Sequence, residues 1–178
     1  MPLFEPYAPG AHGVLAAGLS VRPAADADIS AIGALWHSRH GGDLPEALAG
    51  IRRHFAAIAD GQAPDHVFVA TIGGEVVAFA RCGHRSHAST GAADGWYLIG
   101  LNVSAAHRRC GIGRALGETR FRWLRAQGAA EVYSFTTAAN PASLALHRAL
   151  GFTEVTRAFS IPRVSFTGGV GILLRRSL

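Results

Sequence analysis

The chain has 178 residues, 49% apolar and 16% charged, with 22 glycines, which suits a turn-rich globular fold whose core needs no disulfide framework. All 17 basic side chains are arginine, so chemistry that depends on a lysine amine is excluded: no Schiff base, no phosphate-loop lysine, no kinase lysine. The formal charge of +5 permits an anionic ligand without requiring one. Only two cysteines, no secretory leader and no apolar run of about 18 residues make a cytoplasmic protein off the membrane the expectation.

Residues 1–17, with three prolines and two glycines and no sustained period, read as an extension; residues 18–178 read as a single domain. LSVRP predicts a short strand from Leu19. Ala24 to Asp28 open a helix with Ile29, Ile32, Leu35 and Trp36 at helical spacing, and a second helix after Pro45 carries Leu48, Ile51, Phe55 and Ile58 before Asp60-Gly61. His66–Ile72 and Glu75–Cys82, joined by Gly73-Gly74, predict a hairpin. A polar loop over Gly83–Gly95 leads into a strand, Trp96–Val103. A helix then runs through Ile112, Leu116, Trp123 and Leu124, a strand over Glu131–Thr137, and a helix over Pro141–Leu150 between Asn140 and Gly151. Phe152–Ile161 and Val164–Leu174 predict two closing strands. The order β-α-α-β-β-β-α-β-α-β-β implies one α/β domain.

The chemistry concentrates in two stretches. After LIGLNV, residues Arg108, Arg109, Cys110, Gly111, Ile112, Gly113 and Arg114 lead into a helix start, where backbone N–H groups and the helix dipole make an anion cradle and arginines add charged donors. A plain strand-to-helix turn would use the same glycines. In the second stretch, spacings of three, four and four place Asn140, Ser143, His147 and Gly151 on one helical stripe.

Together, Arg-x-x-Gly-x-Gly at 108–113 and Asn-x-x-Ser-x-x-x-His-x-x-x-Gly-Phe at 140–152 resemble the GNAT superfamily of N-acetyltransferases, over Leu19 to about Leu174 and most specifically from Tyr97 to Phe152. The resemblance implies a mixed, twisted, mostly antiparallel sheet with a V-shaped splay between two central parallel strands and about four helices around it. It implies acetyl-coenzyme A as cosubstrate, its diphosphate on the backbone of Arg109 to Arg114 and its pantetheine arm bonded like a strand to Leu101, Asn102 and Val103. Arg108, Ala115, Asn140, Ser143 and His147 complete the implied cofactor contacts. The reaction implied is direct attack of an amine on the thioester, without a covalent enzyme intermediate.

Two departures from the family pattern stand out. His147 occupies the place where relatives most often carry a tyrosine acid, so it either protonates the departing thiolate or only contacts the cofactor. The strand Trp96–Val103 lacks the glutamate many relatives use as a base; Asp94 and Tyr97, or the loop residues His84 and His87, could substitute, or water alone could accept the proton. Cys82-x-His84-x-x-His87 offers metal-ligand types but no fourth ligand, so no metal is expected. Cys110 lies among arginines at a helix start, yet nothing orients a base toward it. Arg120, Arg122 and Arg125 read as a solvated basic face rather than a nucleic-acid surface. Trp36, Trp96 and Trp123 suit the core or an acceptor cleft, the first two being better placed for the cleft. The glycine-rich last strand suits a sheet edge open to a homodimer or the acceptor. The acceptor expected is a small-molecule primary amine. The competing expectations are a protein N-terminus, as for ribosomal-protein acetyltransferases, and a non-catalytic coenzyme sensor.

Overall fold

The computed structural model describes residues 16–87 and 90–178. The expected extension lies outside them except for Ala16 and Ala17, which turn into the first strand. In chain order the elements are β1 (Leu19–Pro23), α1 (Ile29–His40), α2 (Leu44–Ala59), β2 (Asp65–Ile72), β3 (Glu75–Arg85), β4 (Gly95–Val103), α3 (Ile112–Ala126), β5 (Glu131–Thr137), α4 (Pro141–Ala149), β6 (Thr153–Thr156) and β7 (Gly171–Ser177). The seven strands follow the order β1-β2-β3-β4-β5-β7-β6. The β1-β2, β2-β3, β5-β7 and β6-β7 pairs are antiparallel, whereas β4 and β5 run parallel with Tyr97 opposite Tyr133. This is the mixed, mostly antiparallel α/β class expected, with four α-helices among the described residues. None of those helices is long and apolar enough to cross a membrane.

The described residues form two compact units, one from 16–83 and 99–120, the other from 84–98 and 121–178. In the first unit, alternation along β2 and β3 turns Val67, Val69 and Phe79 toward one face, where they bury against Ile32 of α1 and pack with Leu35, Ile51, Phe55 and Ile58. Each such side chain contributes about 1.5–3 kcal/mol on burial, which holds α1 and α2 to the strands. The helix starts are local. Asp43 accepts the Glu46 N–H at 2.8 Å with Pro45 in the first turn. Asp28 accepts the Ala25 N–H at 2.8 Å while holding both terminal nitrogens of Arg22 at 2.7 and 2.8 Å.

The second unit is built on aromatic packing. Tyr97 stacks on Tyr133 at 5.5 Å, Phe135 meets Phe166 at 6.1 Å, and the Arg176 guanidinium lies 4.0 Å over the Phe121 ring while also donating to the Leu150 carbonyl.

The end of the chain departs from expectation. The two long closing strands contract to Thr153–Thr156 and Gly171–Ser177. Pro162 and a left-handed Arg163 (φ 63°) break the run between them, and the apolar alternation there serves the Phe159–Phe166 ring contact rather than a ladder. The last strand is not an edge either: β7 lies between β5, which it pairs along its whole length, and the short β6.

The N–H of Ser160 donates to the Thr90 carbonyl at 2.8 Å, tying the 90s loop to this segment. Beside it Gly91 has φ +74°, and a Cβ there would meet the Ala158 carbonyl oxygen at 2.7 Å. Gly128 shares the left-handed backbone (φ +77°) with open space around it. Gly128→Ala should therefore cost only the backbone term, about 1–2 kcal/mol. Gly91→Ala should cost distinctly more, on the order of 3 kcal/mol, in urea unfolding of the two variants side by side. Equal losses would show that the loop is not packed as described.

Candidate active site

In the first unit, the turn from β4 to α3 is fixed from inside. The Ser104 N–H donates to the Val77 carbonyl at 2.9 Å, and Ser104 Oγ lies 2.7 Å from His107 Nδ1 across one 3-10 turn. Arg108 Nε donates to the Val103 carbonyl at 3.3 Å, so this expected acceptor for a strand-like ligand is already engaged by the chain. The backbone then turns left-handed twice, at Arg109 (φ 64°) and Gly111 (φ 73°). A non-glycine residue in that region costs on the order of 1–3 kcal/mol and persists only where its surroundings dictate it.

Ala115 N–H donates to the Gly111 carbonyl at 3.0 Å, the first rung of α3, and Ile112 and Leu116 are fully buried beneath it. The N–H groups of Ile112, Gly113 and Arg114 precede any i→i−4 acceptor, and no acidic side chain stands in the first turn. Arg109 and Arg114 are exposed at the same turn and Asn102 is buried. Cys110 Sγ donates to the Arg108 carbonyl at 3.4 Å, which gives the thiol a structural contact and no base.

The second unit carries the other half of the predicted residues. Asn140 caps α4, accepting the Ser143 N–H at 3.0 Å through Oδ1, with Pro141 in the first turn. One turn later His147 sits with Nδ1 2.8 Å from the Ser143 carbonyl oxygen and Nε2 2.8 Å from Ser134 Oγ, its ring edge-on to Phe152 at 5.2 Å. Ser143 Oγ lies 3.3 Å from Nδ1. Ser134 itself, 3% exposed, reaches the Leu98 carbonyl at 3.4 Å. This serine had no signal of its own: it stands on a buried strand, where a small polar residue reads as packing.

The remaining candidates hold structure. Tyr97 is fully buried, its hydroxyl donates to the Ala93 carbonyl at 2.7 Å, and burial, with lesser repulsion from Tyr133 and Asp94, pushes its pKa up to about 12. Asp94 accepts the His87 N–H at 2.5 Å and the Ser86 hydroxyl at 2.9 Å; these bonds hold its carboxyl below the usual range. His84 meets the Trp96 ring at 5.4 Å, and His87 meets Tyr97 at 5.0 Å, with burial lowering the His87 pKa. Cys82 is buried on β3, and among the described residues no group of three or more His, Cys, Asp or Glu side chains is gathered for a metal. Trp96 packs edge-on against Trp123 at 5.7 Å, whereas Trp36 is 38% exposed and pairs with His40.

Of the three arginines expected on a solvated face, Arg122 and Arg125 are exposed and Arg120 is not. It is 3% exposed, donating to the Leu116 carbonyl at 3.2 Å and the Arg81 carbonyl at 3.0 Å.

Residues 31–152 match the model of the acetyltransferase (GNAT) family. Aminoglycoside N(6')-acetyltransferase type 1 of Klebsiella aerogenes is 32% identical over 124 residues, 66% of this chain and 73% of that enzyme. Other curated relatives align over 49 to 62 residues, and the chain spans 12% to 27% of their length. Among solved structures, a phosphinothricin acetyltransferase of Sinorhizobium meliloti in complex with acetyl-coenzyme A superposes with TM-score 0.67 at 20% identity, over 90% of this chain and 89% of that one. A ribosomal-protein-alanine N-acetyltransferase of Brucella melitensis gives TM-score 0.66 at 23% identity, over 89% and 99%. The chain thus belongs to the GNAT family of acetyltransferases. Its activity is that of an N-acetyltransferase.

The Asp94 contacts make the loop sensitive to acid. A carboxyl whose pKa is depressed in the folded state contributes order that is complete above its unfolded pKa and is lost as pH falls through the folded one. The His87 amide resonance should therefore show, besides the titration of its own ring, a second transition that begins only below the ordinary carboxylate range, near pH 4. Asp94→Asn should abolish that transition.

Proposed function

We propose that this enzyme transfers the acetyl group of acetyl-coenzyme A directly to a primary amine of a small molecule. The observation that carries the reading is the turn at 108–114, left-handed at Arg109 and Gly111, with three first-turn N–H groups and no acidic residue in the helix's first turn. Such a terminus presents roughly half a positive charge along with directed donors, which fits a diphosphate. Ile112, Gly113 and Arg114 would donate through the backbone, and Arg109 and Arg114 would add charge-assisted donors that five-hydrogen guanidinium groups form readily.

When bound, acetyl-coenzyme A supplies a thioester carbonyl open to attack by a neutral amine. The chain's own part is to orient and to move one proton. With Tyr97 committed to Ala93 and Asp94 to its loop, the proton chemistry falls to α4 and His147. The acceptor's surplus proton then leaves through water, with no dedicated base. The edge backbone of β4 at Leu101 and Asn102 would carry the pantetheine arm by strand-like bonding, the Val103 carbonyl being already taken by Arg108.

A small molecule is favoured over a protein N-terminus because the relative that shares 32% identity over most of its own length is an aminoglycoside acetyltransferase. The likeness to the ribosomal-protein enzyme, at 23%, is one of fold alone.

Titration calorimetry should detect acetyl-coenzyme A binding. Gly111→Ala should weaken it by about five- to thirty-fold, the factor that 1–2 kcal/mol of left-handed strain imposes on rebuilding the turn. Release of free coenzyme A with a panel of primary amines should follow binding. A protein that ignores acetyl-coenzyme A, or a Gly111→Ala variant that binds it unchanged, would overturn this reading.

A further inference from the structure

His87 is 8% exposed, and its Nε2 is buried without a hydrogen-bond partner among the described residues. Buried polar atoms nearly always find partners, so an orphan of this kind needs a physical reason. Its surroundings are otherwise well made. The ring lies edge-on to Tyr97 at 5.0 Å, and Tyr97 is itself fixed by its hydroxyl bond to the Ala93 carbonyl at 2.7 Å. The His87 carbonyl accepts the Thr90 N–H at 3.1 Å and the Thr90 hydroxyl at 2.9 Å, and the Thr90 carbonyl accepts the Ser160 N–H at 2.8 Å. The backbone around the ring is tied down while one ring nitrogen is left over.

A neutral imidazole tolerates this place and an imidazolium does not. The neutral ring has one hydrogen, which it keeps on Nδ1, leaving at Nε2 a lone pair whose burial is less costly than that of an unpaired N–H. Charging the ring puts a hydrogen on Nε2 as well, and a cationic donor is then buried with nothing to accept it. A partner for that charge stands close by. Asp94 Oδ1 accepts the backbone N–H of His87 at 2.5 Å and Oδ2 the Ser86 hydroxyl at 2.9 Å, which uses two of the carboxylate's four lone-pair sites. That N–H and the ring belong to one residue, so rotation about the Cα–Cβ bond carries the imidazole toward the carboxylate. The other titratable or charged groups facing the ring are Arg85 at the end of β3 and Tyr97 of β4; residues 158–160, across from Thr90, bring none. Burial lowers the His87 pKa, Asp94 opposes the shift and Arg85 adds to it.

We propose that His87 is a pH-operated latch: neutral, its ring packs on Tyr97 and holds residues 90–94 in place; charged, it leaves Tyr97 for the Asp94 carboxylate. Withdrawal of the ring removes the packing on which the His87 backbone rests, so the bonds from Thr90 to His87 and from Ser160 to Thr90 loosen. Because burial favours the neutral ring, the packed arrangement is complete above the ordinary histidine pKa, near 6.5, and gives way as pH falls below it. The loss levels off once pH is under the lower pKa of the packed ring. Asp94 stays ionised throughout this range, since its bonds to His87 and Ser86 hold its carboxyl below the usual value.

Nuclear magnetic resonance of the full-length chain tests the latch. Proton contacts between the His87 and Tyr97 rings should be present while the imidazole is neutral and lost once it is charged. Protection of the Ser160 amide, corrected for the intrinsic pH dependence of exchange, should fall by up to about ten-fold per pH unit below about pH 6.5. His87→Phe keeps an aromatic ring on Tyr97 with no proton to gain, and its Ser160 protection should be constant over the same range. In Asp94→Asn the charged ring has no anionic partner, and the fall should begin at a lower pH. A charged ring still in contact with Tyr97, as a water bound at Nε2 would allow, overturns the latch even if neither variant folds. Ser160 protection that falls equally in His87→Phe overturns it as well.

Discussion

The first turn of α3 is the constraint around which the first unit is arranged. An α-helix cannot satisfy its opening N–H groups internally, and most helices finish the job with a serine, threonine, aspartate or asparagine cap. Here Gly111 and Ile112 open the helix, no acid stands in the first turn, and the preceding backbone is forced left-handed at Arg109. Burial of Ile112 and Leu116 under the turn, with Ser104 anchored to Val77, holds that geometry from inside. A preorganised set of donors loses less entropy on binding an anion than a flexible loop would.

Much of this was legible from spacing alone. Glycines at 111 and 113 after a β-rich run, and Asn140-Pro141 ahead of a helix ended by Gly151, are local signals whose physics acts within a few residues. The structure realises both as a left-handed turn and a capped helix. The hairpin at Gly73-Gly74 was equally local, and β2 and β3 pair where expected. The element order, read with those motifs, was enough to place the family.

What sequence could not supply is who faces whom. Tyr97 reads as a candidate base because tyrosine ionises, yet its burial and its bond to Ala93 depend on where residues 90–94 return. His147 was identified by spacing, but its engagement on both sides comes from its own helix turn and from a serine 13 residues earlier on another element. The closing segments failed for a related reason: alternating apolar residues predict a strand equally well when their partners are aromatic rings as when they are ladder neighbours. Pro162 was the available warning.

Arg120 shows how the lysine-free composition bears on the fold. Its guanidinium is buried with backbone carbonyls as its donors' partners, and burial brings its pKa down to about 10, with a smaller opposing contribution from Cys82. Desolvation of that size leaves an arginine charged at neutral pH, because its starting value is so high. The same displacement applied to a lysine would carry it toward neutrality and remove the charge that makes its hydrogen bonds strong. Its planar fork also spans two carbonyls on different elements, Leu116 of α3 and Arg81 of β3, which a single ammonium on a flexible stem would hold less well. Part of the chain's positive excess is therefore a structural clamp between α3 and β3, while Arg109 and Arg114 belong to the part that meets solvent.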